Sequence, residues 1–341
     1  MRNIAVLLLF TIAASADAAE MKLPPLPDEN GYAGAFAGTS HGALVVAGGA
    51  NFPEKKPWEG GTKVWHDRVF ILEKPDSKWK EAGKLPRPLA YGVSISYGER
   101  IICVGGSDAT QHYAETFQLE WKNGKLLSTP LPALPTTIAN SCGAIVGDLL
   151  YIAGGLEKPD SSSTLHTAFQ LDLAAKKPEW KKLPAWPGSG RMLAMAASFD
   201  GAFWLIGGVD LAPGKAGKIE RKYLRDAYRY APKTGWKRIA ELPQPLAAAP
   251  SPAPANPTGF FILGGDDGTQ VSSTPQQHKG FKKTVLFYDG KQAKWREAGE
   301  TTARVTVPCV RWNDAWIVPS GEMRPGVRSP EVWHFSPRNR E

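Results

Sequence analysis

The sequence predicts an all-β protein, a six-bladed β-propeller, on three observations. A glycine pair closes a short apolar run five times, as Val46-Ala47-Gly48-Gly49, Cys103-Val104-Gly105-Gly106, Ile152-Ala153-Gly154-Gly155, Leu205-Ile206-Gly207-Gly208 and Ile262-Leu263-Gly264-Gly265, and a sixth copy reads Val318-Pro319-Ser320-Gly321. The second glycines stand at 49, 106, 155, 208, 265 and 321, so steps of 57, 49, 53, 57 and 56 residues set a period of blade size. Strand and turn signals recur between the pairs, and 42% hydrophobic with 22% charged residues over 341 positions is a globular composition.

One repeat shows the elements in order. Met192 to Phe199 reads as a first strand of small apolar residues, Asp200-Gly201 as a hairpin turn, and Ala202 to Ile206 as a second strand ending at Gly207-Gly208. After a longer loop, Asp226 to Tyr230 alternates as a third strand, and a turn through Lys233-Thr234-Gly235 leads to a fourth starting at Trp236. Four antiparallel strands are the unit of a propeller blade. Trp79, Trp180 and Trp295 stand at matching places, and the order of glycine pair, aromatic strand and tryptophan resembles the kelch repeat over nearly the whole chain. Glycines there spare room where blades crowd, and tryptophans fill the wider space between blades. The last blade, with strands expected at Val305–Arg311, Ala315–Pro319 and Val332–Phe335, lacks a fourth strand before the final Glu341. The stretch Met21 to Pro27 resembles the fourth-strand endings elsewhere, so the N-terminal strand is expected to close the last blade and remove the open edge.

Met1-Arg2-Asn3, the apolar run Ile4 to Ala14 and the small-residue site Ala16-Asp17-Ala18 read as a signal peptide over 1–18, with a single propeller domain over 19–341. The expected location is therefore periplasmic or secreted, and no segment is long enough to insert in a membrane, where about 20 apolar residues are needed. The odd set Cys103, Cys142 and Cys309 lies in apolar strand segments and reads as buried thiols. A net charge of +8 suits anionic solutes, but it forms no basic stripe with aromatics, so nucleic acid is not an expected partner. The six histidines show no ligand spacing, and Asp266-Asp267 lacks the loop pattern of a calcium site and reads as turn capping. Neither a metal nor a cofactor is expected.

Residues after each glycine pair and before each first strand should converge on one face around the axis. They include Asn51, Phe52, Tyr91, Ser107, Asp108, Glu157, Arg191, Asp210, Asp266, Asp267 and the segment Gly321 to Arg328. That segment places Glu322 beside Arg324 and Arg328 on a loop bent by Pro325 and Gly326. Guanidinium forks bind carboxylates and a glutamate can move protons. A loop tied by its own salt bridge explains the same residues equally simply.

The stretch Ser320-Gly321-Glu322-Met323-Arg324-Pro325-Gly326-Val327-Arg328 resembles the Asn-Gly-Glu-x-Lys-Pro-Gly-Leu-Arg loop of bacterial N-acetylneuraminate epimerases, or sialic acid mutarotases. Gly34-Ala35-Phe36-Ala37-Gly38 with Ala47 to Phe52, and Ala90-Tyr91-Gly92-Val93-Ser94, are similar to that family's patterns in consecutive blades. With the Glu-Arg loop in the last blade, the order is like that of the family's cyclically permuted branch. The resemblance implies that Glu322 is the catalytic proton acceptor and that Arg328 holds the sugar carboxylate, with Arg191, Arg324, Asn51 and Tyr91 as further substrate contacts. It implies an exported isomerase that equilibrates the α and β anomers of a sialic acid by acid/base catalysis without a cofactor. Departures occur at Leu89, where the family often has arginine, at Gly190 to Ala194, at Ser107, where it has glutamate, and in the shorter loop Asp266 to Lys283. Two other readings compete: a non-catalytic kelch propeller that binds a glycan or protein, and a hydrolase of acidic glycans, although the Asp-box repeats of sialidases are missing.

Overall fold

The computed structural model describes residues 23–214 and 217–336; the signal peptide expected over 1–18 and the start of the expected closing strand, Met21 and Lys22, lie outside these residues. Six antiparallel sheets follow one another along the chain. Blade one comprises Phe36–Ser40, Ala43–Ala47, Arg68–Leu72 and Lys80–Lys84, and blade two Val93–Tyr97, Arg100–Val104, Thr116–Lys122 and Lys125–Leu131. Blade three comprises Cys142–Val146, Leu149–Ala153, Ala168–Asp172 and Trp180–Leu183. Blade four comprises Met195–Phe199, Ala202–Ile206, Ala227–Ala231 and Gly235–Arg238, as its turn residues predict. Blade five comprises Ala255–Asn256, Gly259–Gly265, Lys282–Asp289 and Lys294–Glu300; blade six has Val310–Trp312, Ala315–Pro319 and Val332–Phe335. Its first strand starts later than expected: Thr306 turns with φ +52°, as its counterparts do in the other blades, and Pro308, which would stand opposite Pro319, has no N–H for the ladder.

A ring of backbone hydrogen bonds closes the six blades around the axis. Gly34, Tyr91, Asn140, Leu193, Ala248 and Thr306 occupy the same place in successive blades, each with φ between +52° and +65°. The amide of each donates to the carbonyl of its counterpart in the preceding blade, and Gly34 completes the circle by donating to Thr306 at 2.6 Å. Five of the six are not glycine, and a left-handed conformation costs each about 1 kcal/mol or more. Tertiary hydrogen bonding offsets that cost.

The glycine pairs sit where the next blade's inner turn presses on the chain. A Cβ at Gly154 would stand 2.2 Å from the Arg191 carbonyl oxygen, while the Gly155 amide donates to that same carbonyl at 2.7 Å. In blade six Ser320 takes the first glycine's place at φ +84°, held because its hydroxyl accepts from the Tyr32 amide at 2.7 Å and donates to the Ser329 carbonyl at 2.6 Å. Gly154→Ala is expected to destabilise by about 3 kcal/mol or more, whereas Gly201→Ala, also at positive φ but facing open space, costs only about 1 kcal/mol. Denaturant unfolding of both variants measures the difference.

The tryptophans latch neighbouring blades. The Trp180 indole donates to the Pro132 carbonyl at 2.8 Å, Trp236 to Pro184 at 2.7 Å and Trp295 to Ala240 at 2.9 Å, each reaching the end of the preceding blade's outer strand or the turn just beyond it. Trp79 makes the same bond to Pro24 at 2.9 Å. Leu23-Pro24 thus stands where Leu131-Pro132 and Leu183-Pro184 stand, and Leu23 and Leu26 pack between blades one and six with Phe70, Leu72, Trp312, Ile317 and Val332. Residues 23–27 form no regular strand, and the sheet of blade six has three strands among the described residues. Leu26 keeps one link to it, donating to the Pro330 carbonyl at 2.8 Å.

Candidate active site

Past the glycine pairs, the chain does more than loop. Blades one, four and six each raise a short hairpin: Ala50–Asn51 with Val64–Trp65, Val209–Pro213 with Ile219–Tyr223, and Glu322–Arg324 with Val327–Arg328. The residue after each glycine pair bridges to the residue before each left-handed turn, so Val305 pairs with Glu322 just as Ala247 pairs with Asp266. This bridge sets Glu322 one step above Thr306 on the face where the inner ring opens.

The axial throat is lined from all six blades, by Gly34 and Ala35, Tyr91 to Ser94, Asn140 to Gly143, Leu193 and Ala194, Ala248, Ala249 and Ser251, and Thr306 to Pro308. Glu322 and Arg328 are not part of that lining; they stand one layer further out, at its rim on the blade-six side. Arg328 Nη1 lies 3.1 Å from Glu322 Oε1, and the Gly326 amide donates to the same Oε1 at 2.8 Å. Both contacts use one oxygen, which leaves Oε2 for a ligand. The Arg328 side chain is 4% exposed, yet its Nε and Nη1 find no aligned hydrogen-bond acceptor. The Arg191–Asp226 pair also leaves Arg191 Nε unmet; Arg328 differs in that its Nη1 too lacks an aligned acceptor, and a buried N–H left unmade is costly.

Blade one braces this hairpin. The Arg328 guanidinium lies 4.8 Å over the Phe52 ring and Arg324 5.7 Å over Trp58, while Gly326 abuts Pro57 and Trp58 of the 3-10 turn Pro57–Glu59. Such packing fixes the carboxylate and the guanidinium without consuming their polar atoms. Arg324 is half-buried at the rim, and Tyr91 lines the throat.

Two expected contacts have other work. Arg191 is fully buried and lies between the rings of Trp186 and Tyr228, donating to the Gly207 carbonyl at 2.8 Å and to Asp226 Oδ2 at 2.9 Å. Its site is the space between blades, where Tyr32, Leu89, Ile138, Leu246 and Arg304 stand in their own blades, two residues before the left-handed position. The Leu89 departure from the family pattern falls at the same place, in the core of blades one and two. Asn51 is also fully buried, its amide donating to the Gly31 carbonyl at 3.0 Å and Asp28 at 3.2 Å while its oxygen meets His66 Nε2 at 2.8 Å. Both are buried and hydrogen-bonded within the scaffold.

The remaining polar candidates are spent locally. Asp108 accepts from Thr110 and Gln111, Asp210 from Thr164 at 2.6 Å, and Asp266 from Tyr223 at 2.6 Å and the Gly268 amide, the turn capping that the sequence suggests. Ser107 is buried and Glu157 is exposed at the rim. All three cysteines are free and buried, and burial pushes the Cys142 thiol up to about 12. A thiol-specific colorimetric reagent at pH 8 is therefore expected to label none of them in the native protein and all of them after denaturation.

Glu322, Arg328, Arg324 and Tyr91 thus share one face. A sequence model of N-acetylneuraminate epimerase matches residues 14–128 and 131–273. The chain belongs to the N-acetylneuraminate epimerase family. It is similar to an N-acetylneuraminate epimerase of Salmonella enteritidis PT4 (strain P125109), 45% identical over 100 residues that cover 26% of this chain and 26% of that relative. It is also similar to one of Yersinia pestis (strain Pestoides F), 44% identical over 111 residues, 29% of this chain and 27% of the relative. The matched stretches span about a quarter of these relatives' length. The family match ends at residue 273, before the Glu322 hairpin, so the geometry of that hairpin carries the chemical argument by itself.

Proposed function

We propose that this protein is a mutarotase that interconverts the α and β anomers of a sialic acid such as N-acetylneuraminate, with Glu322 as proton acceptor and Arg328 as the sugar's carboxylate clamp. The observation that carries the reading is the buried Arg328 guanidinium with unspent N–H groups 3.1 Å from a carboxylate that keeps one oxygen free. An α-keto acid sugar offers both partners: a carboxylate for the fork and an anomeric hydroxyl for the base. Arg324 adds positive charge at the rim, and the net charge of +8 favours approach of an anion. The reading includes export, on the strength of the leader pattern over 1–18.

Opening the ring needs proton removal from the anomeric hydroxyl and proton delivery to the ring oxygen; closure on the other face of the ketone reverses both. Family membership supports the mutarotase reading, and the hairpin's carboxylate and guanidinium support the assignment of roles. Proton NMR of the α anomer, freshly released by a sialidase, tests it. The protein is expected to speed decay toward the equilibrium mixture, and the methyl ester, which lacks the carboxylate charge, is expected to decay at its spontaneous rate. An unchanged rate for the free acid would overturn the proposal.

A further inference from the structure

In the proposed reading Glu322 provides one proton transfer and Arg328 is occupied as the carboxylate clamp, so neither supplies the other. A second dissociable proton has to face the sugar. We propose that Tyr91 is the acid that protonates the ring oxygen and that Lys63 is its positioning residue, a role that rests on the mutarotase reading.

Tyr91 lines the throat with φ +62°, a conformation costly for an aromatic residue. Its ring leans out of blade two and lies over Gly34 of blade one: a Cβ on Gly34 would stand 2.5 Å from Tyr91 Cδ1 and 2.9 Å from Cε1. That is why the blade-one member of the inner ring carries no side chain. Gly34 in turn donates to the Thr306 carbonyl at 2.6 Å, and the neighbouring Val305 pairs with Glu322. Tyr91 and the Glu322–Arg328 pair are thus separated on the inner ring only by Gly34 and Thr306. Among the described residues its hydroxyl makes no hydrogen bond, so its proton is uncommitted.

Lys63 rises from the blade-one hairpin with its Nζ 5.3 Å from the Tyr91 ring centroid and 5.0 Å from that of Trp65. It is half-buried and forms no ion pair among the described residues. An ammonium over an aromatic face fixes the ring and offsets negative charge that develops on it. In the forward step Glu322 takes the proton of the anomeric hydroxyl, and the bond between the anomeric carbon and the ring oxygen breaks with its electron pair on oxygen. Tyr91 then gives that oxygen its proton. The keto sugar stands between a protonated Glu322 and a tyrosinate beside Lys63. Closure on the opposite face returns the proton from the sugar hydroxyl to Tyr91 and from Glu322 to the carbonyl oxygen, so nothing is consumed.

The test measures kcat and KM for anomer interconversion, with N-acetylneuraminate affinity by calorimetry, in Tyr91→Phe, Lys63→Met and Lys63→Arg. Tyr91→Phe is expected to lower kcat on the order of 100-fold with affinity within about threefold and thermal stability unchanged, since the hydroxyl has no protein partner. Lys63→Met is expected to lower kcat about 10-fold, and Lys63→Arg to recover most of it, which loss of packing alone would not do. A Tyr91→Phe enzyme with kcat within about threefold of wild type, or with loss confined to KM, would overturn the assignment and leave the Glu322 reading standing. A wild-type protein without activity would overturn both.

Discussion

Glu322→Gln abolishes most of the acceleration of anomer interconversion, on the order of 10²- to 10⁴-fold, and leaves sugar affinity within a few fold. The amide keeps the size of the side chain and can still accept the Gly326 N–H that Glu322 Oε1 now holds at 2.8 Å, so the hairpin survives. What it loses is the capacity to take a proton. Arg328→Lys has the opposite signature: the clamp changes from a planar fork to a point charge, so affinity falls and the ester no longer differs sharply from the acid. The pair of variants separates proton transfer from anion binding through the same calorimetric and NMR time courses. A salt bridge serving only the fold would show both variants losing stability and neither losing a rate.

Asp226→Ala is expected to cost about 3–5 kcal/mol of stability, because it leaves the Arg191 guanidinium buried without its partner. Burial by itself would raise the Asp226 carboxyl, but the hydrogen bond from Arg191, its charge and the Tyr228 hydroxyl bring it below the usual carboxylate range. With its folded value depressed, the contribution is present above the unfolded value of about 3.9 and is lost as pH falls through the folded one. Denaturant unfolding at pH 7 therefore reads it in full. Arg191→Met costs less, since Asp226 is 16% exposed and keeps the Tyr228 hydroxyl at 2.6 Å. Sugar affinity in Arg191→Met is expected to equal that of wild type, as befits a residue that locks blades three and four together; a marked affinity loss in a stably folded variant would restore it to the sugar site.

The blades were legible because glycine pairs mark places where a Cβ would collide with the next blade, as at Gly154, and such collisions leave a periodic trace in the sequence. The Glu322 hairpin was legible because its chemistry is contiguous: carboxylate, bend and two guanidinium groups within seven residues. Arg191 and Asn51 lie next to site positions in the chain, yet their side chains point into the scaffold. Comparison across blades carries that signal for Arg191, since its counterparts Tyr32, Leu89, Ile138, Leu246 and Arg304 are all buried, and all but Arg304 are apolar or aromatic. The inner ring was less visible, because Leu193, Ala248 and Thr306 are held at positive φ by hydrogen bonds between distant residues and not by their own preference. Lys63 has no local pattern to announce it. Only folding brings it over a tyrosine 28 residues away.

The most direct measurement is two-dimensional exchange NMR of an equilibrated solution of N-acetylneuraminate, in which α and β protons at carbon 3 resonate apart and no net reaction takes place. Exchange cross-peaks between the two anomers that appear with the wild-type protein, and vanish with Glu322→Gln at the same sugar occupancy, are the result expected here. Cross-peaks of equal intensity with both proteins would contradict proton transfer by Glu322, and none with either would contradict mutarotation of this sugar.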